Sequence, residues 1–278
     1  MFRNLLVHIP TERSARPAVD GSVSLAMTSG AHLDAIAVGY ESTNIPFVAE
    51  GGAAVASIYE VERERAMERA TTALDIFEAK AKPSGISYTR QAIARPPAEA
   101  LSTMAEVSRL YDLTIVSQPE PGAMTTDNRV PQEILFRSGG PVLFFPYTFR
   151  GAFDARRVGI CWDASRLAAR ALHDAMPFLV RAKALKVISL SRSADEPVEP
   201  SPEALVAHLA RRKLSADIVS FGTDRSDIQS SILSVAADES LDLLVMGGYG
   251  HSHLQEIVRG GVTHDMLAAM TVPTLMSH

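Results

Sequence analysis

Short apolar runs of strand length alternate with longer amphipathic segments along most of the chain. In the first part, runs such as "NLLVHI" (4–9), "LDAIAVG" (33–39) and "SYTRQAI" (87–93) are separated by segments with helical periodicity near 14–29 and 57–82. Strands that alternate with helices favour βαβ units, because a parallel strand pair needs a crossover connection. The pattern therefore predicts an α/β fold.

The same pattern begins again in the second part of the chain. The runs "RVGICW" (157–162), "LKVISLS" (185–191) and "ADIVSF" (216–221) repeat it, with helical segments near 164–182 and 202–213. The two parts also end alike: an Asp leads an apolar strand, a loop and an amphipathic helix follow, and a proline opens a short last strand. Self-similarity of this length indicates a tandem duplication.

The duplication predicts two tandem doubly wound domains, each with a parallel five-stranded, Rossmann-like sheet. We place the first at residues 1–148 and the second at residues 154–278, with the join near 147–155, where the alternation stops and restarts. In open α/β sheets, ligands bind at the carboxyl ends of the strands, where the strand order reverses. The loops that follow strands are therefore the expected place for a binding site.

Composition and charge exclude several classes of partner. The net charge of −5 comes without a long basic block, so nucleic acid is not an expected partner. The longest apolar runs are far below the roughly 18–20 residues that span a bilayer, so no membrane segment is expected. One cysteine, Cys161, precludes an internal disulfide and fits a reducing compartment. With no signal-like leader either, we expect the protein in the cytoplasm.

A glycine-rich loop in the second part carries the strongest functional signal. Gly247 and Gly250 follow the apolar run "LDLLVM" (241–246), and Gly260 precedes the next helical segment. Glycine lets the backbone approach a ligand closely, and the N-terminus of the following helix favours an anion. The pattern predicts a phosphate site, with the Thr263 hydroxyl as a further donor. A tight βα turn without a ligand is the alternative.

The glycine spacing G-x2-G-x9-G, followed by a small residue and V-T, resembles the nucleotide loop of universal stress proteins. The stretch "CWDASRLAARAL" (161–172) is similar to the family's first strand, Asp and helix turn, and the resemblance extends to both parts of the chain. It implies a tandem universal stress protein whose domains have an adenine nucleotide alpha-hydrolase-like fold. It also implies that the second domain binds ATP, with or without Mg²⁺.

The resemblance further implies a role for each site residue by its position. Asp163 would lie beside the adenine, together with a backbone group at a strand end, Leu190 or Ser191; the alternative role of Asp163 is that of a helix N-cap. Gly247 would meet the ribose. The remaining loop residues would surround the phosphates: Gly248, Gly250, His251, Gly260, Gly261, Val262 and Thr263. No catalytic residue and no metal ligand is implied.

Two departures from the family pattern change this expectation. Gly261 stands where the family has a hydroxyl residue, so one phosphate donor is missing although the N–H of Gly261 remains. In the first domain the glycine loop is replaced by Ser117, Gln118, Pro119 and Glu120. Proline has no N–H to donate, and a glutamate would place negative charge near a phosphate. We therefore predict that the first domain binds no nucleotide in this way and is structural or has another ligand.

Other residues near the loop have structural interpretations. His251, His253 and His264 lie close in sequence, but no carboxylate or cysteine stands at a ligand spacing with them, so positions at the surface or beside a phosphate are favoured over a metal site. Cys161 and Trp162 are expected in the core, since a strand predicted to be buried contains them.

Three classes of function stay open. The first is a stress-response or regulatory protein that binds ATP or another adenine nucleotide in its second domain. The second is a slow ATPase of the same superfamily, although the chain has no P-loop, G-x-S-x-G or H-E-x-x-H motif. The third is a ligand-free interaction scaffold. In each case the resemblance implies that the last strands, within 140–147 and 272–278, pair to form an intramolecular pseudo-dimer, and a further homodimer is open.

Overall fold

The structure, a computed structural model, describes residues 1–42, 52–191, 199–222, 227–248 and 262–278, with the backbone alone for residues 52–55, 190, 191, 221 and 222. The first half contains β1 (Asn4–Ile9), α1 (Arg16–Ser29), β2 (His32–Tyr40), α2 (Gly52–Ser84), β3 (Tyr88–Arg95), α3 (Pro97–Val107), β4 (Leu113–Ser117), α4 (Val130–Arg137) and β5 (Val142–Phe145). A short 3-10 turn, Ser108–Leu110, follows α3.

The second half repeats this order of elements. It contains β6 (Arg157–Trp162), α5 (Arg166–Asp174), α6 (Met176–Leu179), β7 (Ala184–Ser191), α7 (Pro202–Ala210), β8 (Asp217–Gly222), α8 (Ile228–Asp238), β9 (Leu243–Gly247), α9 (Val262–Ala269) and β10 (Thr274–Ser277). Each apolar run that predicted a strand overlaps one. The α/β fold is confirmed, with five parallel strands in each half.

All ten strands belong to one sheet in the order β3-β2-β1-β4-β5-β10-β9-β6-β7-β8. Within each half the five strands are parallel and follow the same order. The halves join where β10 pairs antiparallel with β5, with Leu275 opposite Leu143. This pairing covers an edge strand of each half, which would otherwise expose unpaired backbone groups.

Helices cover both faces of the sheet and bury two apolar layers. One layer includes Leu74 of α2, Leu172 of α5 and Leu205 of α7. The other includes Met104 of α3 and Met266 of α9. Because each layer draws residues from both halves, the halves share their core. Across the described ranges, no helix combines the length and apolar character needed to cross a membrane.

The connection between the halves packs against α1. Phe153 is buried, and its N–H donates to Ser24 Oγ at 2.8 Å while that hydroxyl donates back to the Phe153 carbonyl at 3.0 Å. The Phe153 ring also lies 5.1 Å from the ring of Phe145 and 6.0 Å from that of Phe178. The join predicted near 147–155 is therefore tied into the core.

Two predicted helices differ in their bounds from the observed ones, and proline explains one of the differences. The helix predicted near 164–182 is divided into α5 and α6, and Pro177 lies in the first turn of α6, where its missing N–H is tolerated. The helix predicted near 57–82, ending at Pro83, extends from Gly52 to Ser84, so that proline lies in its last turn. Gly85 then leaves the helix with a φ of 70°, in the left-handed region that suits glycine.

Candidate functional site

The carboxyl ends of β6, β7 and β9 form the candidate site of the second half. From β6 the chain moves outward through β7 and β8 and then returns to β9 on the other side of β6, so the strand order reverses between β6 and β9. Such a switch point is where open α/β sheets bind ligands. Asp163 follows β6, Leu190 lies near the end of β7 and Gly247 ends β9. Three predicted residues thus lie at one edge of the sheet.

A tight turn leads from Asp163 into α5. The Ser165 N–H donates to Asp163 Oδ1 at 2.9 Å, and Ala164 between them has a φ of 58°. Ser165 Oγ accepts from the Ala168 N–H at 3.1 Å, so Ser165 is the N-cap of α5. The alternative role of Asp163 as the helix N-cap is therefore wrong. Asp163 is exposed at the edge of the sheet.

Packing leaves no room for a side chain at Gly247 and little room for one at Gly248. A Cβ on Gly247 would lie 2.8 Å from the Ala168 nitrogen and from the Leu167 carbonyl carbon, in the first turn of α5. A Cβ on Gly248 would lie 3.1 Å from Leu135 Cδ2 on α4 of the other half. The Gly248 N–H donates to the Ser277 carbonyl at 2.9 Å. Close packing therefore accounts for these two glycines without a ligand.

The other predicted loop residues are only partly described. Val262 and Thr263 begin α9; Val262 is half-buried and Thr263 is buried. The remaining predicted residues of the loop lie outside the described residues: Gly250, His251, Gly260 and Gly261. Of Leu190 the structure gives the backbone, which pairs with Phe221 of β8. In the described part of the chain, His, Cys, Asp and Glu residues form no group of three that could hold a metal ion.

Cys161 and Trp162, at the end of β6, belong to the core. Burial, with a smaller contribution from the Asp163 charge, raises the pKa of the Cys161 thiol to about 12, so the reactive thiolate is disfavoured. Trp162 is 6% exposed, and its Nε1–H donates to the Pro200 carbonyl at 2.9 Å. The indole is thus satisfied by the protein itself, as expected for a packed side chain.

The equivalent edge of the first half is filled by its own side chains. Arg13, in the loop after β1, donates from Nη1 to the Gln118 carbonyl at 2.5 Å and from Nη2 to the Ser117 carbonyl at 3.1 Å. Its guanidinium therefore occupies the space beyond the end of β4. Because β1 and β4 pair as β6 and β9 do, this is the corresponding switch point.

A buried carboxylate, Asp127, completes the closure of this edge. Its Oδ2 accepts from the N–H groups of Thr11 and Glu12 at 2.7 and 2.6 Å, and its Oδ1 accepts from the Tyr40 hydroxyl at 2.6 Å. The backbone donors of the β1–α1 loop are thus bound to an internal anion. Sequence reasoning missed Arg13, Tyr40 and Asp127, because their contacts join segments far apart in the chain.

Burial controls the protonation of this cluster. It lowers the pKa of His8 to about 3, with the Arg13 charge adding to the effect, so the imidazole is neutral. Burial also raises the pKa of Asp127, although the hydrogen bonds from Tyr40 and Glu12 and the charge of Arg13 oppose the rise. His8 Nε2 lies 3.5 Å from Asp127 Oδ1, and both side chains are fully buried.

Gln118 links the closed edge of the first half to the second half. This side chain, at the position predicted to replace a loop glycine, is buried and donates from Nε2 to the Leu267 carbonyl of α9 at 2.8 Å. Its Oε1 accepts from the Tyr147 N–H at 3.2 Å. Gln118 therefore acts as an interface residue between the halves, as Gly248 does from the opposite side through its contact with Leu135.

Comparison with known families identifies the second half. Residues 155–278 match the model of the Universal stress protein family, so this part of the chain is a universal stress protein domain. The first half lies outside the matched residues. No curated protein matches the chain in sequence.

Solved structures resemble the whole chain in fold. A universal stress protein from Archaeoglobus fulgidus DSM 4304 is similar with a TM-score of 0.71 at 17% identity, over 98% of this chain and 95% of that one. A putative universal stress protein from Pseudomonas aeruginosa UCBPP-PA14 is similar with a TM-score of 0.59 at 16% identity, over 99% and 93% of the two chains.

The same fold also occurs in a protein of another kind. The cytoplasmic domain of a prokaryotic cation chloride cotransporter is similar with a TM-score of 0.52 at 10% identity, over 99% of this chain and 95% of that one. Likeness at these identities concerns the fold alone, so the function has to be argued from the site.

Proposed function

We propose that the second half binds an adenine nucleotide, with ATP as the expected ligand, at the carboxyl ends of β6, β7 and β9. The observation that carries the proposal is that an exposed Asp163 lies at the switch point of the part that matches the universal stress protein family. Ser165 is the N-cap of α5, so helix capping does not account for the Asp163 carboxylate. A side chain that accepts hydrogen bonds suits the exocyclic amine of an adenine.

The roles proposed for the other residues follow the strand ends. The Leu190 backbone is proposed to meet the base from the end of β7, and Gly247 the ribose from the end of β9. The phosphates are proposed to lie at the N-terminus of α9, where the partial positive charge of a helix favours anions. The residues proposed to surround them are Gly248, Gly250, His251, Gly260, Gly261, Val262 and Thr263.

A domain assignment accompanies this proposal. We infer a first domain at residues 1–148 and a second at residues 154–278, joined as an intramolecular pseudo-dimer through the observed pairing of β5 and β10. In this arrangement the first domain contributes core and interface contacts, since Gln118 and Leu135 reach the second half. A response of partner proteins to nucleotide in the second domain would make the chain a stress-related regulator.

One alternative has an observation of its own. Packing alone accounts for Gly247 and Gly248, because α5 and Leu135 come close to them. A ligand-free interaction scaffold would need the same two glycines. The two functions differ in whether the chain holds a nucleotide at all.

The experiment is to denature freshly purified full-length chain and identify any released nucleotide by chromatography and mass spectrometry. Wild type is compared with Gly250→Glu, which places a carboxylate in the proposed phosphate loop. Met124→Glu is the matched control, since it adds the same charge to the exposed loop of the first half. We expect ATP in wild type and in the control and its loss in Gly250→Glu. A wild type without nucleotide that also fails to bind added ATP would support the scaffold.

A further inference from the structure

A cavity of about 510 Å³ lies in the first half, away from the proposed nucleotide site. The loop between β1 and α1 forms one wall, and α2 forms the other. Its volume lies within the ~300–1,000 Å³ common for small-molecule sites. Arginines dominate its polar lining: Arg13 and Arg16 from the loop side, and Arg65 and Arg69 from α2.

The lining of this cavity carries more positive than negative charge. Four arginines and one acidic residue, Glu68, line it. Arg16 pairs with Asp20 at 3.4 Å, and the charge of Asp127 acts on Arg13, so the excess comes mainly from the arginines of α2. Arg69 donates to the Tyr40 carbonyl at 2.7 Å, an uncharged acceptor, and the ion pairs between described residues do not include Arg69. Arg65 pairs with Glu62 at 2.9 Å, but that contact is at the surface, where ion pairs are weak.

Donors without a partner lie around the same space. Arg13 lines the cavity, and its Nε is buried without an acceptor among the described residues. Because a buried N–H without an acceptor is unfavourable, a small shift of this side chain that brought Nε within reach of a ligand oxygen would be favoured. The N-terminus of α1 lies at the cavity too, since Ala15, its N-cap, is a lining residue and provides no capping side chain.

Part of the lining is apolar. Ala15, Ala73 and Ile76 line the cavity; the two alanines are buried, whereas Ile76 is 53% exposed despite its size. A bare inorganic anion would leave this wall in water, whereas the carbon skeleton of an organic anion would cover it. Arginine forks suit phosphate oxygens because they donate two parallel hydrogen bonds.

We propose that this cavity binds a small organic phosphate. The phosphate lies between the arginines and the N-terminus of α1, and the carbon skeleton lies against Ala73 and Ile76. This site belongs to the half whose strand edge is closed by Arg13 and Asp127, and it uses no residue of the glycine loop. It therefore stands independently of nucleotide binding in the second half.

The test titrates full-length chain carrying Gly250→Glu with glycerol phosphate by calorimetry, so that the glycine loop is disabled in every sample. Arg65→Gln combined with Arg69→Gln is expected to weaken binding by at least about fivefold, because two charge-assisted contacts to the phosphate are lost. Arg63→Gln combined with Arg211→Gln is the matched control; it removes the same charge from exposed positions outside the cavity and is expected to change affinity less than about twofold.

Two further samples make the result specific. Arg65→Lys combined with Arg69→Lys keeps the charge and removes the planar forks, so an intermediate affinity is expected. Inorganic phosphate is expected to bind more weakly than glycerol phosphate. The proposal is overturned if glycerol phosphate does not bind, if the control pair weakens binding as much as the cavity pair, or if inorganic phosphate binds as tightly as the ester. Circular dichroism of each variant checks that α2 is intact.

Discussion

The two halves share one strand order but differ at the edge where that order reverses. In the first half, Arg13 and Asp127 bind the strand-end carbonyls and the loop N–H groups, so the edge is closed from within. In the second half, the residue after β6 is an exposed Asp163 that neither caps α5 nor fills the edge. The comparison teaches that a few side chains can close one copy of a shared backbone scaffold, so fold similarity alone does not assign the ligand.

The first strands of the two halves also differ in the ionisable side chain that each places near the edge. His8 and Cys161 each occupy the fifth position of their strand, in β1 and β6. His8 is fully buried, 3.5 Å from Asp127, whereas Cys161 is a half-buried thiol that stays protonated. The closed edge thus places ionisable groups inside the core, and its stability should depend on pH in a way that the other edge does not.

Removing the internal carboxylate is the most direct way to break the closed edge. Asp127→Ala should lower the free energy of unfolding by about 3–5 kcal/mol, because three hydrogen-bond donors lose their acceptor and the nearby Arg13 charge loses the opposite charge of this carboxylate. Denaturant unfolding measures the change. Asp163→Ala is the control from the other half and should lower stability by less than about 1 kcal/mol, since that carboxylate is exposed. Equal losses in the two variants would contradict the difference between the edges.

Acid should destabilise the closed edge through His8. Its folded pKa of about 3 lies below the ordinary 6.5, so the unfolded chain binds more protons between these values. Stability from this group is therefore full above pH 6.5 and falls as pH drops toward 3, by at most about 3 kcal/mol at pH 4. The raised pKa of Asp127 acts in the opposite direction above pH 3.8 and reduces the net loss.

The pH prediction is checked by unfolding at a series of pH values in wild type and His8→Leu. The acid-dependent loss between pH 6.5 and 4 should shrink in His8→Leu. Cys161→Ala, at the corresponding strand position, should keep the wild-type pH dependence because its thiol does not titrate in this range. An unchanged profile in His8→Leu would show that His8 does not control acid stability.

The two glycines of the second edge should differ in their tolerance of a side chain. Gly247→Ala should lower stability by about 1–3 kcal/mol, because the methyl group meets the backbone of α5, which has little room to move. Gly248→Ala should lower it by less than about 1 kcal/mol, since the methyl group meets the end of the Leu135 side chain. Thermal unfolding measures both, and the reverse order would contradict the packing explanation.

The contact between the halves should have a smaller effect. Gln118→Ala should lower stability by about 1–2 kcal/mol, because the Leu267 carbonyl and the Tyr147 N–H lose their buried partner. Gln91, exposed on β3, is the matched control position, and Gln91→Ala should change stability by less than about 0.5 kcal/mol. Indistinguishable unfolding curves for the two variants would remove Gln118 from the interface.

The fold was largely predictable because its signals are local. Apolar runs such as 4–9 and 157–162 predicted the strand positions, and the repeat predicted the five parallel strands of each half. The division of the helix at Pro177 was missed, since the apolar periodicity of α5 continues across it. The repeat spacing does not record such a break, and a proline is tolerated at the start of a helix as well as at its end.

The candidate site was less predictable because its contacts are long-range. The exposed Asp163 was found from its place after a strand, but the closure of the first edge by Arg13 and Asp127 depends on segments more than a hundred positions apart. The sequence showed that the glycine loop is replaced in the first half, but it did not show that Arg13 and Asp127 fill that edge. Likewise, the glycine spacing predicted a ligand at Gly247, whereas the structure shows that α5 packs closely against this glycine.

The central claim, that one edge binds nucleotide and the other is closed, is tested most directly by the stoichiometry of ATP binding to the full chain. Equilibrium dialysis with labelled ATP and magnesium is done on chains that carry Arg65→Gln and Arg69→Gln, so that the cavity of the first half takes no part. It should give a single site per chain, lost when Gly250→Glu is added and retained when Met124→Glu is added. Two sites per chain, or a single site that is lost in Met124→Glu and retained in Gly250→Glu, would contradict the account.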